Sequence, residues 1–342
     1  MVKDTPPSTA RSRVAQSIAA GERILGITHA NPDGDAVGSL MALGHIAVAL
    51  KKQVRLYCAT EIPPFLSWIE SPAPFLHSLD ELGGWQPDRI VFLDCADENR
   101  AGEEASEYIA RHRKAPQEGV VTLCVDHHIA NPSFADVNWV DSSMSAAGMM
   151  VGLLAEELGL QLSGNLGEAV FLALVSDTGS FSFGNTTALT LQLASKIVAK
   201  GLSIAEFTAK YENNWTLGRM HLWGSLMREV ALHCSGKVVV SVVTDEHLER
   251  YKSHHTDLEG YASWLRRLRG SKVVILARSS HKGSKVSLRS MGDADVQEVA
   301  ALFGGGGHKA AAGVDMLLPP NEAATMVLEA VCKKFGEPFD NG

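Results

Sequence analysis

Short apolar runs alternate with helical patterns in the first half of the chain. Three runs are nearly continuous in hydrophobicity: RILGIT (23–28), RIVFLD (89–94) and VVTLCVD (120–126); QVRLYC (53–58) is predicted as a further strand. Such Ile-, Val- and Leu-rich runs are typical of parallel strands that are buried on both faces. The segment GSLMALGHIAVALKK (38–52), between the first two runs, has the pattern of a helix. This alternation predicts βαβ units and an α/β fold built on a doubly wound parallel sheet.

The second half has a different order of patterns. The segment NLGEAVFLALVSDTG (165–179) and most of residues 187–230 have helical patterns. Three strand-like and two helix-like segments follow: KVVVSVVT (237–244), DLEGYASWLRRLRG (257–270), KVVILARS (272–279), SKVSLRS (284–290) and DADVQEVAALF (293–303). We therefore predict a catalytic-type α/β domain over 1–186, a helical linker over 187–230 and a smaller α/β domain over 231–342.

Length and charge agree with two domains of different character. The chain has 342 residues, which is longer than one typical core supports. Its net charge of −8 argues against binding of long duplex DNA through a broad basic face. Residues 1–230 contain 17 Lys and Arg against 26 Asp and Glu, whereas residues 231–342 contain 14 against 13. The first part is thus suited to cations and the second to an anion, although ordinary solvated surfaces give similar totals.

The sequence also predicts a cytoplasmic protein with no membrane partner. Its five cysteines are scattered and have no CxxC spacing, which is typical of reduced, buried thiols. The first 21 residues carry charges throughout and lack the apolar region of a signal peptide. Apolar runs such as AVFLALV are too short to span a membrane.

Polar residues of unusual character follow the apolar segments. In open α/β sheets the ligand site lies beyond the carboxyl ends of the strands, so these residues are candidates for one site. Six of them are potential metal ligands: His29, Asp33, Asp35, Asp94, His127 and Asp177. Two imidazoles and four carboxylates suffice for two divalent cations of the Mn²⁺ or Mg²⁺ type, and imidazole favours Mn²⁺. Taken singly, each residue could instead be a helix cap, a turn residue or a surface residue.

The run GGGGH (304–308) is a second candidate site. Glycines allow a bound group to approach the backbone, and we expect a helix that begins near His308 to present N–H groups to an anion. A plain flexible loop is the alternative interpretation. Arg289, just upstream, has a guanidinium suited to a phosphate or a base, or is a surface cation.

Six motifs in order give the chain its resemblance to a known family. They are HANPDGD (29–35), DCAD (94–97), DHH (126–128), SDTGSF (176–181), VSLRS (286–290) and GGGGHKAAAG (304–313). From about residue 20 to 330, the chain resembles the DHH phosphoesterases that carry a C-terminal DHH-associated domain. Within that family it is most similar to the two-domain nanoRNase/pAp-phosphatase subgroup, which is related to the RecJ exonucleases.

The resemblance implies a role for each matching residue. One metal ion would be held by His29, Asp33, Asp94 and Asp177, and the other by Asp35, Asp94, His127 and Asp177. Asp94 and Asp177 would bridge the two ions, and His128 would face the phosphate. Asp126 would orient a neighbouring histidine. The residues implied to contact the nucleotide are Arg289, Gly306, Gly307 and His308; Arg100 matches a further family arginine of binding or structural role.

The implied activity is hydrolysis of phosphate esters with two divalent ions, preferably Mn²⁺, with Mg²⁺ or Co²⁺ as alternatives. Expected substrates are short single-stranded RNA (nanoRNA), which is cut to mononucleotides, and 3′-phosphoadenosine 5′-phosphate (pAp). An alternative is the hydrolysis of cyclic di-AMP or the dinucleotide pApA; a different class is a catalytically inactive nucleotide-binding protein. RecJ-type digestion of long strands and inorganic pyrophosphatase activity are disfavoured. The resemblance is also compatible with a homodimer.

Overall fold

The chain forms two compact units. The computed structural model describes residues 9–114, 119–213 and 215–336, and the units are Met1–Asn214 and Trp215–Gly342. The segment 187–230, predicted as a linker, is divided between them. Leu193 and Phe207 lie in a core of the first unit, whereas Leu222 lies in a core of the second. The predicted domain bounds, with a separate linker over 187–230, stay a prediction.

The first unit contains a six-stranded sheet in which every neighbouring pair is parallel. Its strands are β1 (Arg23–Thr28), β2 (Gln53–Tyr57), β3 (Phe75–Leu76), β4 (Arg89–Leu93), β5 (Val121–Asp126) and β6 (Val137–Val140). The strand order is β3-β2-β1-β4-β5-β6. Chain connections diverge to opposite sides between β1 and β4, which is the topological switch point where doubly wound folds bind ligands. The predicted fold class is confirmed.

Helices cover both faces of this sheet. They are α1 (Ala10–Ala20), α2 (Gly34–Ala49), α3 (Glu103–Lys114), α4 (Ala147–Glu157), α5 (Gly164–Asp177), α6 (Ala188–Ala199) and α7 (Ile204–Tyr211), with 3-10 turns at Pro64–Leu66, Leu79–Leu82 and Glu98–Ala101. Ile24 and Val91 belong to the core that includes α2, α4 and α5, and Leu25 and Phe92 belong to the opposite core. Burial on both faces explains why these strands are almost uniformly apolar.

The second unit contains a mixed six-stranded sheet. Its strands are β7 (Ala231–His233), β8 (Val238–Val243), β9 (Val273–Ser280), β10 (Gly283–Ser290), β11 (Gly306–His308) and β12 (Ala311–Met316), in the order β11-β12-β10-β9-β8-β7. Among the strands described for this unit, β8 and β9 pair in parallel and the other four pairs are antiparallel. The helices are α8 (Leu217–Arg228), α9 (Asp245–Tyr251), α10 (Tyr261–Leu265), α11 (Val296–Ala301) and α12 (Pro320–Phe335), with a 3-10 turn at His255–Leu258. The predicted smaller α/β domain is therefore confirmed.

Two predictions for this unit are wrong in detail. Residues 306–308 form strand β11, which pairs with β12, and no helix begins at His308. Gly307 has a φ of +133°, and a Cβ there would lie 2.5 Å from the Ala311 carbonyl oxygen, so the glycines permit close strand pairing. The helix predicted over 257–270 is a 3-10 turn followed by the five-residue α10. Gly260, with a φ of +81°, separates the two.

Within the described residues, the structure contains no single helix that has both the length and the apolar character needed to cross a membrane. Helices α6 and α7 meet those criteria only when counted together, and they are bent by 107° relative to each other.

Candidate functional site

Three neighbouring strands bring candidate residues to one edge of the first sheet. His29 follows β1, Asp94 follows β4, and Asp126 ends β5 directly before His127 and His128. Because β1, β4 and β5 are adjacent and parallel, their carboxyl ends lie together at the switch point. The apolar strands thus place a cluster of polar residues at their carboxyl ends.

Helix α2 contributes two carboxylates from its first turn. Asp33 caps the helix, and its Oδ1 accepts hydrogen bonds from the backbone N–H groups of Asp35 and Ala36 at 3.0 and 3.1 Å. Asp35 is fully buried, and its two oxygens accept the backbone N–H groups of Ala147 and Gly148 at 2.7 and 2.8 Å. These donors belong to the N-terminus of α4, which favours a negative charge at this position.

The Asp94 carboxylate lies between two histidines. Its Oδ2 is 3.5 Å from Nε2 of His29, and its Oδ1 is 3.5 Å from Nε2 of His127. Nε2 of His127 also lies 3.2 Å from Oδ2 of Asp177 and 3.6 Å from Oδ2 of Asp35. Asp94 is buried and has a φ of +57°, a left-handed conformation that is uncommon for a residue with a side chain. The structure therefore brings predicted residues of five elements, β1, α2, β4, β5 and α5, into one cluster.

Backbone carbonyls orient the two histidine rings. Nδ1 of His29 lies 2.9 Å from the Ala30 carbonyl oxygen, and Nδ1 of His127 lies 3.3 Å from the Met144 carbonyl oxygen. A proton on each Nδ1 satisfies these acceptors and leaves Nε2 facing the carboxylates, where it could bind a metal ion once it has lost its proton. This is the arrangement of histidines that bind metal ions through Nε2.

His128 has a different partner. Its Nδ1 lies 2.8 Å from Oδ1 of Asp126, whose Oδ2 accepts a hydrogen bond from Nδ2 of Asn131 at 2.6 Å. Asn131 also donates to the Cys95 carbonyl oxygen at 2.9 Å and so connects the ends of β4 and β5. The sequence analysis did not indicate Asn131; its position five residues after Asp126, in a loop, was the only signal.

Concentrated negative charge changes the proton affinity of the cluster. Burial alone would lower the pKa of His29, but the hydrogen bond and charge of Asp94 raise it to about 9. Burial and the charge of Asp94 raise the pKa of Asp35 to about 7, and burial with the charge of Asp35 raises the pKa of Asp177. The carboxylates therefore require compensating positive charge.

The donor atoms form groups that could hold metal ions. Two sets each bring three ligand atoms within 4.8 Å of one another: His29, Asp33 and Asp94, and Asp35, His127 and Asp177. Among the described residues, Oδ1 of Asp94 is a buried acceptor that lacks a hydrogen-bond donor. A cation would satisfy this oxygen, and mixed carboxylate and imidazole donors suit Mn²⁺-type ions.

The structure also brings together the candidate residues of the second unit. Ala311 of β12 pairs with Arg289 of β10 on one side and with His308 of β11 on the other. Arg289 donates through Nε to Oγ of Ser263 at 3.3 Å and through Nη1 to its neighbouring Leu288 carbonyl at 3.0 Å. Gly306 and Gly307 lie on β11 beside His308. Arg289 and the glycine-rich strand therefore occupy neighbouring positions in one sheet.

Arg100 lies in the first unit, in the 3-10 turn Glu98–Ala101. Its carbonyl oxygen accepts the backbone N–H of Ala30 at 2.7 Å, which fixes the chain next to His29. The side chain is exposed, so the contact that the structure describes near the cluster is made by the backbone.

Comparisons with known proteins agree with this geometry. The family model described as DHH family, N-terminal domain, matches residues 23–174, and the DHHA1 domain matches residues 235–336. The bifunctional oligoribonuclease and PAP phosphatase NrnA of Thermus thermophilus is 32% identical over 305 residues, which cover 89% of this chain and 87% of that protein.

Solved structures support the same fold. An exopolyphosphatase-related protein from Bacteroides fragilis has a TM-score of 0.84 at 22% identity, with 95% of this chain and 96% of that chain covered. RecJ from Thermus thermophilus, solved in complex with Mn²⁺, has a TM-score of 0.54 at 18% identity, with 98% and 56% covered. From its two matching domains and its relative of more than 30% identity, the chain belongs to the DHH family of phosphoesterases.

Proposed function

We propose that this chain is a metal-dependent phosphoric ester hydrolase that cuts short oligoribonucleotides to mononucleotides and converts 3′-phosphoadenosine 5′-phosphate to AMP. The observation that carries the proposal is the buried Asp94 carboxylate, which lies within 3.5 Å of both His29 and His127. This arrangement occurs in a chain that is 32% identical to a protein named bifunctional oligoribonuclease and PAP phosphatase.

The proposed cofactors are two divalent ions, with Mn²⁺ preferred and Mg²⁺ or Co²⁺ as alternatives. The proposed ligands are His29, Asp33, Asp94 and Asp177 for one ion, and Asp35, Asp94, His127 and Asp177 for the other. When bound, such a pair supplies a hydroxide nucleophile and neutralises charge on the phosphoryl group. Support comes from the mixed donor set and from the Mn²⁺ in the RecJ structure.

The protein's own groups have distinct tasks in this proposal. Asp94, shared between two histidines, fixes the spacing of the two ligand sets. His128, oriented by Asp126, donates a hydrogen bond to a phosphoryl oxygen as negative charge develops there. The N-terminus of α4 favours the ionised form of Asp35 and holds its carboxylate in place through the Ala147 and Gly148 N–H groups.

The second unit supplies nucleotide binding in this proposal. Arg289 and His308 flank Ala311 in the sheet, and Gly306 and Gly307 leave the backbone of β11 accessible to a ligand. A net charge of −8 supports short single-stranded substrates over duplex DNA. The five buried cysteine thiols support a cytoplasmic location. No membrane partner is proposed. A homodimer is the proposed assembly.

The decisive experiment compares turnover with Mn²⁺ for pApA, longer oligoribonucleotides, 3′-phosphoadenosine 5′-phosphate, cyclic di-AMP and pyrophosphate. We expect the short oligoribonucleotides and 3′-phosphoadenosine 5′-phosphate to have the highest kcat/KM. Preference for cyclic di-AMP would replace the proposed substrate class. Binding of nucleotides without turnover of any compound would identify a catalytically inactive relative.

A further inference from the structure

Asn131 lies in the turn that follows the DHH motif. Its backbone N–H donates to the His128 carbonyl oxygen at 3.2 Å, so residues 128–131 fold back towards the end of β5. The side chain of Asn131 is half-buried, and it contacts the fully buried Asp126. The turn therefore explains how a loop residue five positions after Asp126 reaches its carboxylate.

The amide of Asn131 has one orientation that satisfies its neighbours. Nδ2 donates to Oδ2 of Asp126 at 2.6 Å and to the Cys95 carbonyl oxygen at 2.9 Å. On the other side, Oδ1 accepts the backbone N–H of Ser133 at 2.8 Å. A reversed amide would place its oxygen against a carboxylate and a carbonyl, both of which are acceptors. Asn131 is therefore a double donor with a defined orientation.

The hydrogen bond to Asp126 is difficult to replace by solvent. Asp126 is fully buried, so water has little access to its carboxylate. His128 occupies one carboxylate oxygen at 2.8 Å, and Asn131 occupies the other. Buried polar atoms without a partner are costly, and the protein itself must therefore supply the second donor.

The two hydrogen bonds of Asn131 connect the ends of β4 and β5. Cys95 directly follows Asp94, the proposed bridging carboxylate, which has a left-handed backbone. Asp126 orients His128, the proposed phosphate-facing group. One amide thus holds the backbone beside the first group and the carboxylate that orients the second. A misplacement of about 1 Å in such an arrangement can cost on the order of 100-fold in rate.

We propose that Asn131 is a positioning residue of the hydrolysis. By holding Asp126, it keeps the His128 ring in the orientation in which that ring donates to a phosphoryl oxygen. The inference rests on the proposed function, because it assigns Asn131 a task in that reaction. Asn131 acts through Asp126 and His128 in this assignment, so its substitution should lower kcat and leave KM and Mn²⁺ content close to the wild-type values.

The kinetic test compares Asn131→Asp and Asn131→Ala in the full chain, with pApA and Mn²⁺. Asn131→Asp keeps the shape and the acceptor for Ser133, but it replaces the donor by a carboxylate that repels Asp126. Loss of such a supporting group typically costs about 10- to 100-fold, and we expect this decrease in kcat for both variants. Asn138→Ala is the matched control, because the half-buried Asn138 amide binds the backbone of Ala135 rather than Asp126. Wild-type kcat in Asn131→Asp would overturn the proposal.

A double-mutant cycle separates positioning from a purely structural role. If Asn131 acts through His128, Asn131→Ala should add little to the loss of kcat that His128→Ala already causes. A residue that only stabilises the loop would lower kcat by the same factor with and without the His128 ring. Equal factors in the two backgrounds would therefore overturn the proposal.

An unrelated substrate separates this inference from the proposed function. The same variants are assayed with bis(p-nitrophenyl) phosphate, a phosphodiester that lacks a nucleoside. If wild-type protein hydrolyses this compound but not pApA, and its kcat depends on Asn131, the proposed substrate class fails and the positioning assignment stands. If pApA is hydrolysed equally well by wild type and Asn131→Asp, the positioning assignment is wrong and the proposed function stands. Wild-type protein that hydrolyses neither compound would contradict both.

Discussion

Nδ1 of His128 lies 2.8 Å from Oδ1 of Asp126 at the carboxyl end of β5. Asn131 holds the other carboxylate oxygen of Asp126 through a 2.6 Å hydrogen bond. The carboxylate is therefore fixed on two sides, and it fixes the ring of His128. Since His127 precedes His128, one strand end presents a candidate metal ligand and a candidate phosphate-facing group next to each other.

Asp126→Asn should lower kcat with little effect on metal content. The amide keeps the shape of the side chain but removes the charge that orients and polarises His128, and loss of such a supporting group typically costs about 10- to 100-fold. Steady-state kinetics together with elemental analysis of bound Mn²⁺ measure the two effects. Asp80→Asn, at an exposed position of the 3-10 turn Leu79–Leu82, is the control. Wild-type kcat in Asp126→Asn would remove His128 from the proposed chemistry.

Asp94→Asn should abolish hydrolysis while leaving the fold intact. The Asp94 carboxylate contacts both ligand sets. Loss of several kcal/mol of transition-state stabilisation by the metal ions corresponds to a decrease in kcat on the order of 1,000-fold. Burial opposes ionisation of Asp94, but the hydrogen bonds of His127 and His29 hold its pKa well below the usual range, so its charge stabilises the metal-free fold at neutral pH. In chelator at neutral pH, the variant should therefore unfold at a lower temperature than wild type. Near-normal Mn²⁺-dependent turnover would refute the assignment of Asp94.

Mn²⁺ should raise the thermal stability of the first unit. The unliganded carboxylates repel one another, and a ligand that binds only the folded state at 100 times its Kd adds about 2.7 kcal/mol. For a unit of this size we expect a rise in Tm of about 5 to 10 °C. Differential scanning calorimetry with and without a chelator measures the shift. An equal shift in Asp94→Asn would place the ion elsewhere.

The sequence predicted the positions of those candidate residues that lie at the end of a strand. The strand RILGIT predicted the position of His29, and the DHH motif predicted three consecutive candidate side chains at the carboxyl end of β5. It did not predict that α4 would donate to Asp35, because Ala147 is 112 residues away and the contact depends on how helices pack. The glycine run was compatible with the start of a helix or with a flexible loop. In the structure it includes strand β11, which pairs with β12, so the predicted helix is wrong.

Arg289→Ala should raise KM for pApA and for 3′-phosphoadenosine 5′-phosphate. We propose that Arg289 binds the nucleotide substrate. Loss of charge-assisted hydrogen bonds predicts an increase of about 10- to 100-fold, with Arg289→Lys retaining part of the affinity. Steady-state kinetics with both substrates measure the change in KM. An unchanged KM for both compounds would remove Arg289 from the site.

Gly148→Ala should destabilise the first unit and reduce activity. A Cβ at Gly148 would lie 2.2 Å from Cβ of Ala173 and 3.3 Å from Oδ1 of Asp35, so α4 and α5 must move apart. Such overpacking typically costs about 1–3 kcal/mol. Movement of α4 also displaces the Gly148 N–H that Asp35 accepts at 2.8 Å, which should lower Mn²⁺ affinity.

Urea unfolding and Mn²⁺ titration test the two effects of Gly148→Ala. Gly224→Ala is the matched control, because Gly224 is an exposed position of α8 whose Cβ would contact no described atom within 4 Å. Alanine has the higher helix propensity, so this control should gain about 0.5–1 kcal/mol. If Gly148→Ala lowers the free energy of unfolding and Gly224→Ala raises it, close packing of α4 on α5 rather than helix propensity explains why a glycine lies beside Asp35. Equal stability of Gly148→Ala and wild type would contradict that explanation.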